Sequence, residues 1–234
     1  MTPQPAYLLH KRPYRETSAL VELITLEHGR VRAVAQGVQR GGSKARGRLQ
    51  PFAPLHVTWV GDAELKRLRL METNGTAALL AGEGLLCGLY ANELLIRTLP
   101  PLLPVHDVFA FYGALFDALP IPAERAPALR RLENALLEAL DAEPVFRDTD
   151  DCELDLQQRY IYRPGERRFA ASGNAQQGID GRTLRLLAQG EWSQPGLARV
   201  AKSLTRAALA PLLGAKPLRS RELMVQLAAR RRSS

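Results

Sequence analysis

Leu9–Gln50 reads LHKRPYRETSALVELITLEHGRVRAVAQGVQRGGSKARGRLQ. Two apolar runs, Ala19–Thr25 and Val31–Ala35, flank the turn signal Glu27-His28-Gly29, which is the pattern of a β-hairpin. The stretch then opens into a glycine-rich basic loop, Arg40–Arg48, with four cations and no large apolar side chain. A loop of that composition is expected to be solvated and free to meet an anion, or else to be one more charged face of a basic protein.

Around this hairpin, Tyr7–Leu9, Leu55–Val60 and Glu64–Leu70 are further short runs with partial alternation, separated by Pro13, Pro51, Pro54 and Gly61-Asp62. Five short strands predict a small closed barrel, and the oligonucleotide-binding (OB) fold meets that count. Within ELKRLRL, Glu64–Leu70, alternation puts Lys66 on the opposite face from Arg67 and Arg69, so the three cannot share one groove.

From about Ala77 the apolar period becomes helical. Leu79–Leu99 ends at Pro100-Pro101, Val108–Leu119 aligns Phe109, Tyr112, Leu115, Phe116 and Leu119 on one face, and Ala128–Leu140 carries a leucine stripe. Three such helices suffice for a bundle core. An irregular, initially acidic segment follows over 141–178, with a hairpin of Tyr160–Tyr162 and Arg168–Ala171 about Pro164-Gly165. Helical spacing returns in Arg182–Leu187, Leu197–Leu213 and Ser220–Ala229. The fold class is therefore α+β: an N-terminal five-stranded OB-fold barrel over residues 1–78, then a predominantly helical domain over 79–234 with a small irregular and hairpin insertion.

The 234 residues are 46% hydrophobic, enough for a sizeable core, and carry a formal charge of +8. That charge is segregated, at +6 over residues 1–80, −8 over 81–160 and +10 over 161–234. Two basic ends around an acidic middle fit a polyanion held at the ends. Cys87 and Cys152 do not make a disulfide scaffold, which points to a reducing compartment. The N-terminus lacks a signal-peptide pattern and no window is apolar enough to span a bilayer, so a cytoplasmic protein is expected.

Four scattered histidines, no phosphate-cradling glycine motif and no nucleophile elbow argue against an enzyme. The acidic run Asp148, Asp150, Asp151, Glu153, Asp155 lacks EF-hand spacing and reads as a solvated loop. Strand-contacting candidates are Lys11, Arg12, Tyr14, Arg15, Arg40, Lys44, Arg46 and Arg48, with Tyr14 as the aromatic on which a base would stack. Arg199, Lys202 and Arg206 recur at helical spacing as a second cationic ridge. An apolar groove between the helices, rimmed by Arg97, Arg130 and Arg131, would suit an acidic peptide with a terminal carboxylate. An RNA-binding OB module or a non-catalytic protein-interaction scaffold would use the same features; salt-dependent strand affinity separates the scaffold from the other two.

Several motifs together resemble one family. Leu9–Ser18, the Thr25…Gly29-Arg30 turn, Val34-Ala35-Gln36-Gly37, Leu49-Gln50-Pro51-Phe52, Gly88–Leu94, Leu129–Glu133 and Lys216–Leu223 are similar, in order and over essentially the whole chain, to the bacterial DNA repair and recombination mediator RecO. The resemblance implies an OB barrel joined to a helical domain that embraces a small, sometimes zinc-bearing segment. It also implies binding of single- and double-stranded DNA, annealing of complementary strands, and action with RecR to load RecA onto strands coated by single-strand binding protein, on the nucleoid. The acidic C-terminal tail of that binding protein is the expected partner of the helical domain, which carries the role to Leu95, Leu99, Arg130 and Arg131. Where some members place four cysteines, only Cys152 stands here; one thiolate cannot assemble a structural zinc site, so neither metal nor cofactor is expected.

Overall fold

The computed structural model describes residues 2–39, 47–174, 176–192 and 194–232. Strands β1 (Gln4–Tyr14), β2 (Ser18–Thr25), β3 (Gly29–Ala35), β4 (Pro54–Val60) and β5 (Leu65–Thr73) close into a barrel of order β1-β2-β3-β5-β4. β3 and β5 run parallel and the other neighbours antiparallel, which is OB topology. The expected hairpin pairs from Ala19↔Ala35 to Thr25↔Gly29. Alternation sends Ala19, Val21, Leu23, Val31, Ala33 and Ala35 inward to a core shared with Leu55, Val57 and Trp59. Lys66 is buried while Arg67 and Arg69 are exposed, as the alternation in β5 requires.

β1 is longer than the run Tyr7–Leu9 and continues through Pro13. β4 pairs with it only over Gln4–Tyr7, so further along β1 one edge has no strand partner among the described residues and the missing N–H of Pro13 is tolerated. A register shift between Leu8 and His10 lets the sequence neighbours Leu8 and Leu9 both be buried.

Beyond the barrel lie α1 (Gly82–Thr98), α2 (His106–Ala118), α3 (Pro122–Ala139), β6 (Arg159–Arg163), β7 (Arg168–Ala171), β8 (Ile179–Asp180), α4 (Gly181–Ala188), α5 (Ala198–Leu213) and α6 (Arg219–Arg232). The chain divides into two compact units, Met1–Pro122 with Pro217–Ser234, and Ala123–Lys216. α1, α2 and α6 thus belong with the barrel, and α3 with the second unit.

In the first unit the aromatic stripe of α2 is spent on the barrel. The Tyr7 ring of β1 lies 5.3 Å from Tyr112 and 5.5 Å from both Phe109 and Phe116. Tyr112 Oη donates to Asn92 Oδ1 at 2.6 Å, and Asn92 Nδ2 donates to the Leu9 carbonyl at 2.9 Å, so a fully bonded polar chain fastens both helices to β1.

α6 is fastened differently. Its first backbone N–H groups have no partner within the helix, and the Glu93 carboxylate of α1 accepts from Arg219 N and Ser220 N at 2.9 Å and from Ser220 Oγ at 2.7 Å. Burial pushes the Glu93 carboxyl up, but the bonds from Ser220 and Arg219 outweigh it and hold the group below its ordinary value. A depressed folded-state pKa contributes stability above the unfolded value near 4.5, and that contribution is lost as pH falls through the folded one. Glu93→Gln should therefore cost about 1 kcal/mol at neutral pH and nothing once pH lies below the folded value. Amide exchange of α6 from neutral to acid pH, compared between the two proteins, reads this directly.

The second unit packs the three-stranded sheet β7-β6-β8 against α4 and α5. Tyr160, Phe169, Leu184, Leu187, Ala201 and Leu204 form its core, with Phe146 stacked on Phe169 at 5.5 Å. The irregular segment is thereby held by apolar packing, and its acidic loop is tied locally. Asp148 Oδ1 accepts from Asp150 N and Cys152 N, and Asp151 pairs with Arg168 at 2.8 Å. Among the described residues no three His, Cys, Asp or Glu side chains converge to hold a metal, and no helix is long and apolar enough to cross a membrane.

Candidate nucleic-acid interface

Where β1 has parted from β4, its free half carries Lys11, Arg12, Tyr14 and the turn residue Arg15. Lys11 and Arg12 line a cleft of about 310 Å³ with Pro13, Ala19, Val38, Gln39 and Leu49. Lys11 pairs with the inward-facing Val21 and is exposed, and its Nζ donates to the Leu49 carbonyl at 2.8 Å. Arg12 pairs with the outward-facing Leu20 and is exposed. The Arg15 guanidinium sits 5.1 Å over the half-buried Tyr14 ring, occupying one of the two faces on which a base would stack. Arg48, from the far end of the basic loop, is exposed and donates to the Met71 carbonyl of β5 at 3.2 Å. Four of the expected cations are thus gathered on the first unit; Arg40, Lys44 and Arg46 lie outside the described residues.

The outer face of the barrel adds Arg67 and Arg69 on β5, both exposed. Between them and Arg12 the charge is internally balanced: Glu22 accepts from Arg30 Nη1 at 3.0 Å and from Arg32 Nε at 2.7 Å, and Arg32 reaches Glu64 at 3.2 Å. The acceptor role of Glu22 is invisible in sequence, where it reads only as the polar position of an alternating strand.

In the second unit, Arg199, Lys202 and Arg206 are exposed along α5, with the three- and four-residue spacing of one helix face. Lys202 also lines an apolar cleft of about 270 Å³ formed by Ala123, Ala126, Pro127 and Leu129 of α3 with Trp192 and Ala198. Arg130 borders the same cleft. It is only 7% exposed, donates from Nη2 to Glu133 Oε1 at 2.6 Å and from Nη1 to Thr205 Oγ1 at 3.1 Å, and its Nε finds no acceptor among the described residues. Arg131 is exposed. Leu95 and Leu99 belong to the first unit and are buried at 0% and 2% exposure. Trp192 escaped sequence analysis because it sits in a loop, outside any apolar period.

Comparison with known proteins agrees over the whole chain. The family model "Recombination protein O N terminal" matches residues 1–76 and "Recombination protein O C terminal" matches residues 80–222. A protein of Nitrosococcus oceani named DNA repair protein RecO is 40% identical over 228 residues, covering 96% of this chain and 93% of its own. Proteins of the same name from Pseudomonas putida and Alteromonas mediterranea are 44% and 39% identical, covering 95% and 94% of this chain and 96% and 95% of theirs.

Proposed function

The chain belongs to the RecO family of recombination proteins, and on that premise we propose which of its surfaces do the work. It is a non-catalytic mediator of DNA repair and homologous recombination that binds single- and double-stranded DNA, anneals complementary strands and, with RecR, helps load RecA onto strands coated by single-strand binding protein. The strands lie on the first unit, across Lys11, Arg12, Arg15 and Arg48 at the free half of β1. The supporting observation is that Lys11 and Arg12 of the OB barrel line one open cleft with Leu49, the neighbour of Arg48, and that Arg15 follows on the same strand end.

Lys and Arg on that surface neutralise phosphates and release counterions, giving affinity independent of sequence. Two complementary strands held there repel each other less and meet at raised effective concentration, so annealing needs positioning and charge with no nucleophile. Arg199 and Arg206 of α5 offer a second backbone-binding ridge. The protein works in the cytoplasm and joins the nucleoid when engaged on DNA.

The acidic tail of single-strand binding protein enters the α3–α5 cleft. Leu129, Pro127 and Trp192 take the apolar end of such a peptide, Lys202 meets its carboxylates, and the Arg130 Nε is a buried donor for a terminal carboxylate. Lys202→Glu is expected to weaken a labelled tail peptide by about fivefold, the scale of one exposed ion pair. Fluorescence anisotropy with that peptide and, separately, with DNA tells the two roles of Lys202 apart: loss of strand binding alone would move it to the DNA ridge.

The function itself is tested by anisotropy of labelled single-stranded DNA across a salt series, on bare strands and on strands coated with full-length or tail-truncated binding protein. Affinity falling steeply with salt, and recruitment to coated strands that requires the tail, are the expected results. Absence of strand binding at low salt would overturn the annealing mechanism in favour of a protein-interaction scaffold.

A further inference from the structure

Register pairs Arg12 with Leu20, Leu20 with Val34, and Val34 with Arg67, so these four residues form one row across the outer face of the barrel. Neighbouring strands lie about 4.8 Å apart, so along the barrel wall the two arginines are separated by three strand spacings, about 14 Å, across an apolar middle. The next row brings Glu22 opposite Arg32. There the cations are cancelled. Glu22 holds Arg30 and Arg32 with its two oxygens, Glu64 takes a further bond from Arg32, and two arginines meet two glutamates.

The two arginines are not equivalent. Arg30 has only 11% of its side chain exposed and its Nε donates to the Leu99 carbonyl at 2.8 Å, so it is bound into the fold. Arg32 has 44% of its side chain in solvent and, among the described residues, its hydrogen bonds all go to carboxylates. Its hydrogen bond to Glu22 raises its pKa further above the ordinary arginine value, so the side chain stays a cation that can change anions without changing charge. A phosphate reaching this row meets an arginine already occupied.

We propose that Glu22 sets the affinity of the barrel for nucleic-acid strands by competing with strand phosphate for Arg32. The inference rests on the barrel being the strand-binding surface. A mediator that anneals must release each strand to its complement, and a resident carboxylate weakens the grip at Arg32. Exchange of phosphate for Glu22 on Arg32 is a swap of one charge-assisted hydrogen bond for another, so it changes the net bonding little in either direction. An uncancelled cation at this point would hold strands longer and slow their pairing.

Anisotropy with a labelled oligonucleotide across a salt series tests this in the full chain. Glu22→Gln keeps an acceptor for one arginine and removes the charge; it is expected to tighten strand binding about tenfold at low salt and to steepen the salt dependence by about 0.7, one additional single-strand phosphate contact. Arg32→Ala added to it should abolish the whole gain. Glu64→Gln should act in the same direction more weakly. A folded Glu22→Gln protein with unchanged or weaker binding, or a gain that survives Arg32→Ala, overturns the proposal. Should Glu22→Gln fail to fold, Glu64→Gln carries the test, since that side chain is 64% exposed and contacts only Arg32 in this network; unchanged affinity and salt slope would then overturn it. Variants of Lys11 and Arg12 that bind strands as wild type would instead remove the barrel surface itself, a distinguishable failure.

Discussion

Gly29→Ala is expected to destabilise the protein by about 4 kcal/mol or more, the range reached only by severe steric or polar defects. Gly29 turns the β2–β3 hairpin at φ +59°, and a Cβ placed there would lie 1.7 Å from the carbonyl oxygen of Leu103. That oxygen belongs to backbone which Leu102 N, bonded to the Arg30 carbonyl at 2.9 Å, holds against the same hairpin, so it cannot move aside without breaking the seam. Gly37 is the control: it has φ +70° but open space where its Cβ would be. Gly37→Ala should cost only the left-handed backbone penalty of about 1–2 kcal/mol. Chemical denaturation of both variants measures the difference; equal losses would show that the Leu103 contact yields.

Removing the four described cations together, Lys11→Ala, Arg12→Ala, Arg15→Ala and Arg48→Ala, should lower single-strand affinity by roughly two orders of magnitude at low salt and flatten the salt slope by about 3. The Lys11 and Arg48 bonds to the Leu49 and Met71 carbonyls and the Arg15 contact with the Tyr14 ring tie these side chains to the fold, so thermal stability should fall by about 2 kcal/mol. Wild-type binding and slope in this variant would place the strand elsewhere, with the α5 ridge next in line.

The barrel was legible because its strands obey a simple rule. Ala19–Leu23 and Val31–Ala35 alternate, and the sorting of Lys66 from Arg67 and Arg69 follows from the same period of two. What escaped was decided by partners far away in the chain. Pro13 marks the end of a strand in any local view, yet β1 runs through it because β4 has already left that edge. The leucines and aromatics of α2 signal burial without saying against what; the answer, Tyr7, is about a hundred residues upstream. Of the cationic candidates, sequence finds the charge and cannot find its occupation. Arg32 and Arg130 carry the same formal charge as Arg12, but Glu22 and Glu133 have claimed them, and only side-chain geometry reveals it. The α3–α5 cleft depends on Trp192, a single loop residue, meeting two helices with no shared period.

The carboxylate of Glu93 and the start of α6 are 127 residues apart. At ribosomal speeds of about 5–20 residues per second, the first unit waits roughly 6–25 s after Glu93 is made before the helix that completes it exists. Everything from Ala123 to Lys216 is synthesised within that interval, during which Glu93 and Tyr90 stand without α6. A nascent chain stalled before Pro217 would therefore present a closed barrel beside an exposed patch of α1, a natural target for chaperones and proteases during translation.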